Sequence, residues 1–160
     1  MLDLDCCFSR GRRVAVGSVA VGAALLLSGP ARADAGPGFL TIASSGQSGV
    51  TSAQTAVVRD GAAWAQLWAR HAATQSPPPA RPEVDFSRFM VLAVFAGGKP
   101  SACYGVQVTG VVPVGANGVQ LRWREPEPPA GMMCASVMTF PAQFVQVPRV
   151  SGKVSFSKQP

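Results

Sequence analysis

Residues 85–112 read DFSRFMVLAVFAGGKPSACYGVQVTGVV, and their pattern decides the fold. Phe89 to Phe95 is unbroken apolar sequence rich in Val, Leu and Phe, which predicts a strand buried on both faces. Gly97-Gly98-Lys99-Pro100 ends it, because paired glycines and a proline do not continue a central strand. From Cys103-Tyr104-Gly105 onward the chain alternates, with Val106, Val108 and Val112 on one side and Gln107 and Thr109 on the other. That period of two predicts a strand with one wet face. None of these core residues carries chemistry of its own, so function has to be sought in compartment, surface and loops.

Downstream, the strand patterns 106–114 and 119–124 flank Gly115-Ala116-Asn117-Gly118, and Asn-Gly between alternating strands is a strong hairpin signal. In the return strand Val119, Leu121 and Trp123 face one way, and Gln120, Arg122 and Arg124 the other. The two arginines read as a solubilising ridge that protects a sheet edge. Glu125-Pro126-Glu127-Pro128-Pro129 predicts an extended rim loop. A further strand is expected from Gly131-Met132-Met133-Cys134 toward Met138, then a break at Phe140-Pro141, a strand over 144–147, and a last edge strand around Val154 and Phe156.

Upstream, 39–44 and 50–59 are strand candidates separated by the turn composition Ser45-Gly46-Gln47-Ser48-Gly49. Asp60 stands where a helix N-cap belongs, ahead of an amphipathic helix over about 61–73. Trp64, Leu67, Trp68 and His71 fall at i, i+3, i+4 and i+7, so they share one face. Such a stripe covers a sheet more often than it builds a ligand box. His71 closes it in the last turn, near the helix C-terminus. The proline-rich segment 74–83 reads as a stiff connector within one domain, and Asp85 as an anchor at the start of the central strand. The expected architecture is α+β, a predominantly antiparallel, sandwich-like sheet domain with that one helix packed on it.

Residues 1–33 are expected to be a removable export signal, leaving one domain over 34–160. Arg10, Arg12 and Arg13 form a basic start, 14–27 is a short apolar run, and Ala31-Arg32-Ala33 fits a signal-peptidase site. The run is shorter than the roughly 20 residues that span a bilayer, so no membrane span is expected after cleavage. Arg12-Arg13 lacks the bulky apolar residues that usually follow a twin-arginine pair, which favours Sec over Tat export. Cys6 and Cys7 would leave with the leader. The expected location is periplasmic or secreted.

Beyond the leader, ten basic residues stand against six acidic ones, a net charge near +4. Arg59, Arg70, Arg81, Arg122, Arg124, Arg149 and the lysines are scattered along the chain, which argues against a nucleic-acid stripe. Cys103 and Cys134 remain as an even pair, and in an exported protein they read as a disulfide. Closing a loop of that length is worth about 3–4 kcal/mol in the chain-entropy picture. The sharper alternative makes Cys103 a nucleophile with His71 as base and Asp85 beside them, which requires an unpaired sulfur and a placed base. One histidine and two cysteines lack the spacing of a zinc site, and no cofactor motif is present.

Taken in order, Trp64-Ala65-Gln66-Leu67-Trp68…His71, Val84-Asp85-Phe86…Met90-Val91…Phe95-x-Gly97 and Lys99-Pro100-Ser101…Tyr104-Gly105-Val106 resemble the PrcB-like C-terminal domain family. Pro129…Gly131, Thr139-x-Pro141 and Val147-Pro148-Arg149 continue the resemblance. It implies an exported or envelope-anchored accessory protein, in some relatives associated with and stabilising a secreted protease complex, and it brings no catalytic set. The family usually carries Thr-Gly-Gly-Tyr where this chain has Ser101-Ala102-Cys103-Tyr104. The gain of Cys103 together with Cys134 fits a bridge from that turn to its neighbour. The same turn also resembles, over a few residues, the Thr-Thr-Gly-Tyr loop of chagasin-like cysteine-protease inhibitors. The expected function is therefore non-catalytic binding of another envelope or secreted protein, with a protease the first candidate. Lys99, Pro100, Ser101, Tyr104, Glu125, Glu127 and Met132 are the expected contact residues.

Overall fold

The central strand is β3, Phe89–Ala96, and every residue of it from Met90 on is buried. In this computed structural model, which describes residues 38–128 and 130–160, β3 lies between two layers. The expected leader falls outside the described residues. β1 (Leu40–Ser45), β2 (Ala53–Val58), β3 and β6 (Ala142–Pro148) form a four-stranded sheet in the order β1-β6-β3-β2, antiparallel throughout. β4 (Gln107–Val114), β5 (Gly118–Arg124) and β7 (Val154–Lys158) form a second sheet, in which β5 and β7 pair in parallel. The helix α1, Gly61–Ala72, the one helix among the described residues, covers the other side of the first sheet. The domain is thus the expected α+β sandwich.

The two faces of β3 explain its composition. Val91, Ala93 and Phe95 point to α1 and meet Trp64, Leu67 and Trp68. Met90, Leu92 and Val94 point the other way, to Val108, Leu121, Val145 and Val147 under the second sheet. An alternating strand would leave one of these faces wet, whereas a continuous apolar run satisfies both. Phe144 of β6 lies at the centre of the helix-side core, with ring centroids 5.6 Å from Trp64, 5.5 Å from Trp68 and 5.5 Å from Phe95.

The helix begins as its sequence predicts. Asp60 Oδ1 accepts from the Ala63 amide at 2.8 Å, supplying a partner for one of the free N–H groups of the first turn. Both indoles are tied to the proline-rich connector: Trp64 Nε1 donates to the Pro82 carbonyl at 2.9 Å and Trp68 Nε1 to Pro79 at 3.0 Å. The buried indole donors are thereby satisfied while the connector is strapped to the helix. At the other end, Gly49 N donates to the His71 carbonyl at 2.9 Å, and His71 Nδ1 lies 3.0 Å from Ser48 Oγ.

Two local expectations need correction. The alternation of β4 does not run through Val112, because the register shifts between Val108 and Gly110, and the residues packed inward are Val108 and Val111. A bulge inserts one residue and reverses the facing of everything beyond it. The expected hairpin forms between β4 and β5, as a three-residue loop closed by the pair Val114 and Gly118, with a positive φ at Gly115. β5 is central in its sheet, so Arg122 and Arg124 do not guard an edge. Arg124 Nε instead donates across the pair to Gln107 Oε1 at 2.8 Å.

Two outcomes test this packing. A Cβ at Gly49 would stand 2.3 Å from the Arg70 carbonyl oxygen, so Gly49→Ala must push the loop off the helix end. Thermal melts should show a loss of about 1–3 kcal/mol, and an unchanged Tm would mean that the loop is not seated there. Burial holds the His71 imidazole below its ordinary pKa of 6.5, so the folded chain refuses a proton that the unfolded chain takes. Its stabilisation is complete above that ordinary value and is lost as the pH falls through it, until the depressed folded-state pKa is passed. Tm should fall as the pH is lowered from about 7 to about 5, and His71→Gln should flatten that slope. An equal slope in the variant would contradict the assignment.

Candidate binding surface

At the Gly97 end of β3 the chain turns through 97–106 into β4, and the long loop 125–141 between β5 and β6 comes back beside it. Lys99 N donates to the Thr139 carbonyl at 2.8 Å and Thr139 N to that of Lys99 at 2.9 Å. Ala102 N reaches the Ala135 carbonyl at 3.0 Å, and the buried Thr139 Oγ1 donates to the Ser101 carbonyl at 3.0 Å. The Cys103–Cys134 disulfide joins the same two segments, as the cysteine pair predicted. A run of backbone bonds and one covalent bond therefore hold the loops as a single unit.

An ion-pair hub fixes its base. Glu125 Oε2 accepts from Lys99 Nζ at 2.7 Å, and Oε1 lies 3.2 Å from Lys158 Nζ of β7. Partial burial pushes the Glu125 carboxyl up, but the hydrogen bonds and charges of the two lysines outweigh it and leave its pKa below the ordinary value. The hub ties the turn, the rim loop and the last strand together. Glu125 and Lys99 are thus occupied with each other, whereas Glu127 and Pro100 are exposed. Ser101 and Tyr104 are half-buried at the turn.

The structure departs most from expectation over 132–138. No strand forms there, since the segment carries neither ladder partner nor regular pairing apart from the isolated bridge at Thr139. Its apolar side chains stand in solvent instead: Met133 is 98% exposed, Met138 61%, Met132 55% and Val137 48%. Met132 was expected at the surface, and its Sδ rests 3.7 Å from Cys103 Sγ. Met133, Val137 and Met138 were missed, because a strand pattern was read into a run that has no neighbouring strand to pair with. Ala135-Ser136 in its middle, with little β-preference, was the available signal.

The three groups of the thiol-enzyme alternative sit in separate surroundings. Cys103 is bonded to Cys134 at the loops. His71 is buried beneath α1, against Ser48 and with its ring 4.7 Å from that of Phe144. Asp85 lies in the exposed turn before β3, where its Oδ1 accepts from Ser87 Oγ at 2.5 Å and Ser87 N at 3.0 Å, bonds that lower its pKa.

Residues 90–148 match the family model described as PrcB C-terminal. That span runs from β3 through β6 and contains the turn, the rim loop, Cys103, Cys134 and the four exposed apolar side chains of 132–138. The helix motif and Val84-Asp85-Phe86 lie before it. No curated protein and no solved structure matches the chain. Over residues 90–148 the chain is thus similar to the PrcB C-terminal family.

Proposed function

We propose that this protein is an exported, non-catalytic accessory domain that docks on a protease of the envelope or the secreted space and stabilises it. The observation that carries the reading is the cluster of exposed apolar side chains at 132–138 on a disulfide-tied loop. Solvent-exposed apolar patches mark interaction sites, and methionine is enriched in interface cores because its unbranched thioether adapts to the opposing surface. The loop is braced through Cys103, Ala102, Ser101 and Lys99, so docking would order little additional chain. Met132 belongs to this patch, and in this reading Lys99, Pro100, Ser101, Tyr104, Glu125 and Glu127 of the adjoining turn and rim loop supply further contacts. The disulfide suits an oxidising compartment, and the PrcB-related domain supports an accessory role.

Two experiments test the reading. Replacing both cysteines by serine should cost about 2–4 kcal/mol in chemical denaturation and weaken protease binding while the β3 core stays folded. Binding that survives the loss of the bridge unchanged would mean that the loops are not the docking face. In biolayer interferometry against a co-exported protease of the same cell, Met133→Glu with Met138→Glu should weaken binding at least about tenfold, the scale of one or two interface anchors. The wild-type domain should also lengthen the lifetime of the protease at constant peptidase activity. Activity lost at one equivalent of domain would favour the chagasin-like inhibitor reading, and a domain that neither binds nor protects the protease would sink both.

A further inference from the structure

The opposite end of the four-stranded sheet gathers arginines that are far apart in sequence. Arg59 follows β2, Arg88 precedes β3 and Arg149 follows β6, and the pairings of Val58 with Val91 and of Phe89 with Pro148 bring these ends together. With Ser87, Val150 and Ser151 they line an open cleft of about 660 Å³. β3 is eight residues long and separates this cleft from the methionine-bearing loops by roughly 25 Å.

Two of the guanidiniums are locked in place by the backbone. Arg149 Nη1 donates to the carbonyls of Arg59 at 2.8 Å and Phe86 at 2.6 Å. Arg59 Nη1 donates to the Val150 carbonyl and its Nη2 to that of Gly152 at 3.2 Å. Neutral carbonyls orient these groups without cancelling their charge. Arg88 lies over the Phe89 ring, 5.4 Å from its centroid. Among the described residues no carboxylate forms an ion pair with any of the three, and no acid lines the cleft. The neighbouring acids have partners of their own: Asp60 caps α1, and Asp85 accepts from Ser87 and is also stabilised by the backbone N–H and the charge of Arg88.

Three cations in one depression, two of them anchored, repel each other, and an anion bound between them relieves that cost. The guanidinium fork fits oxyanions through paired N–H donors. A single carboxylate would leave two of the three charges unanswered, whereas a phosphate dianion offers more charge and three acceptor oxygens. From this geometry we propose that the cleft of Arg59, Arg88 and Arg149 binds a phosphate group, either free or displayed on an anionic lipid headgroup. Its openness admits a phosphate carried on a larger body.

Calorimetric titration of the full domain with pyrophosphate should give saturable binding at one site per chain, weakening as salt is raised. Arg88→Glu is the cleanest variant, since the side chain of Arg88 makes no hydrogen bond among the described residues. Ser151→Glu places a negative charge elsewhere in the lining. Each should reduce affinity at least about tenfold, roughly 1.4 kcal/mol, with an unchanged melting profile. Co-sedimentation with vesicles containing phosphatidic acid, but not with pure phosphatidylcholine, would assign the lipid source. Binding of pyrophosphate without vesicle binding would assign free phosphate. Absence of saturable binding, binding indifferent to both variants, or tetraglutamate binding as tightly as pyrophosphate would overturn the proposal.

Discussion

The structure depends on a strand that has no wet side. β3 must satisfy the tryptophan face of α1 with Val91, Ala93 and Phe95, and the second sheet with Met90, Leu92 and Val94. Full burial of one such side chain is worth about 1.5–3 kcal/mol, so a few of them weigh as much as the net stability of a typical domain. Removing either layer would expose half of the strand. The helix-side and sheet-side cores are therefore coupled through one backbone, and the connections at the two ends of β3 are left free of that demand.

Those ends are where the candidate chemistry lies. At one end the strand gives way to a turn and a long loop that are zipped together, bridged by Cys103 and Cys134, and crowned with exposed methionines. At the other end, arginines anchored on backbone carbonyls surround an open cleft. A rigid sheet holds both surfaces in place, which suits recognition: side chains already braced lose less entropy when a partner arrives. The domain would then present an apolar contact and a cationic contact at opposite ends of one strand.

Much of this was legible in the sequence because the relevant signals are local. The apolar run of β3, the four residues at helical spacing from Trp64 to His71 and the cap at Asp60 each follow from neighbours along the chain. The cysteine pair was readable once Cys6 and Cys7 were assigned to the expected leader, which leaves Cys103 and Cys134. Features set by distant segments were not. Thr109 sits at a bulge that only the pairing with β5 reveals, and the run 131–138 has strand-like composition but finds no partner strand. Lys99 and Glu125 were expected as contact residues and are joined in an ion pair, which no spacing predicts. Arg59 and Arg149 looked scattered because their meeting depends on three strand ends coming together.

Hydrogen exchange on the free protein tests the central constraint most directly, because exchange rates rank segments by the free energy needed to open them. If β3 is the doubly covered strand described here, the amides of Val91 to Phe95 should exchange only through global unfolding. Those of Met132 to Ser136, held by no sheet, should exchange orders of magnitude faster. Comparable rates in the two segments would contradict the account, because β3 would then open without the rest of the domain.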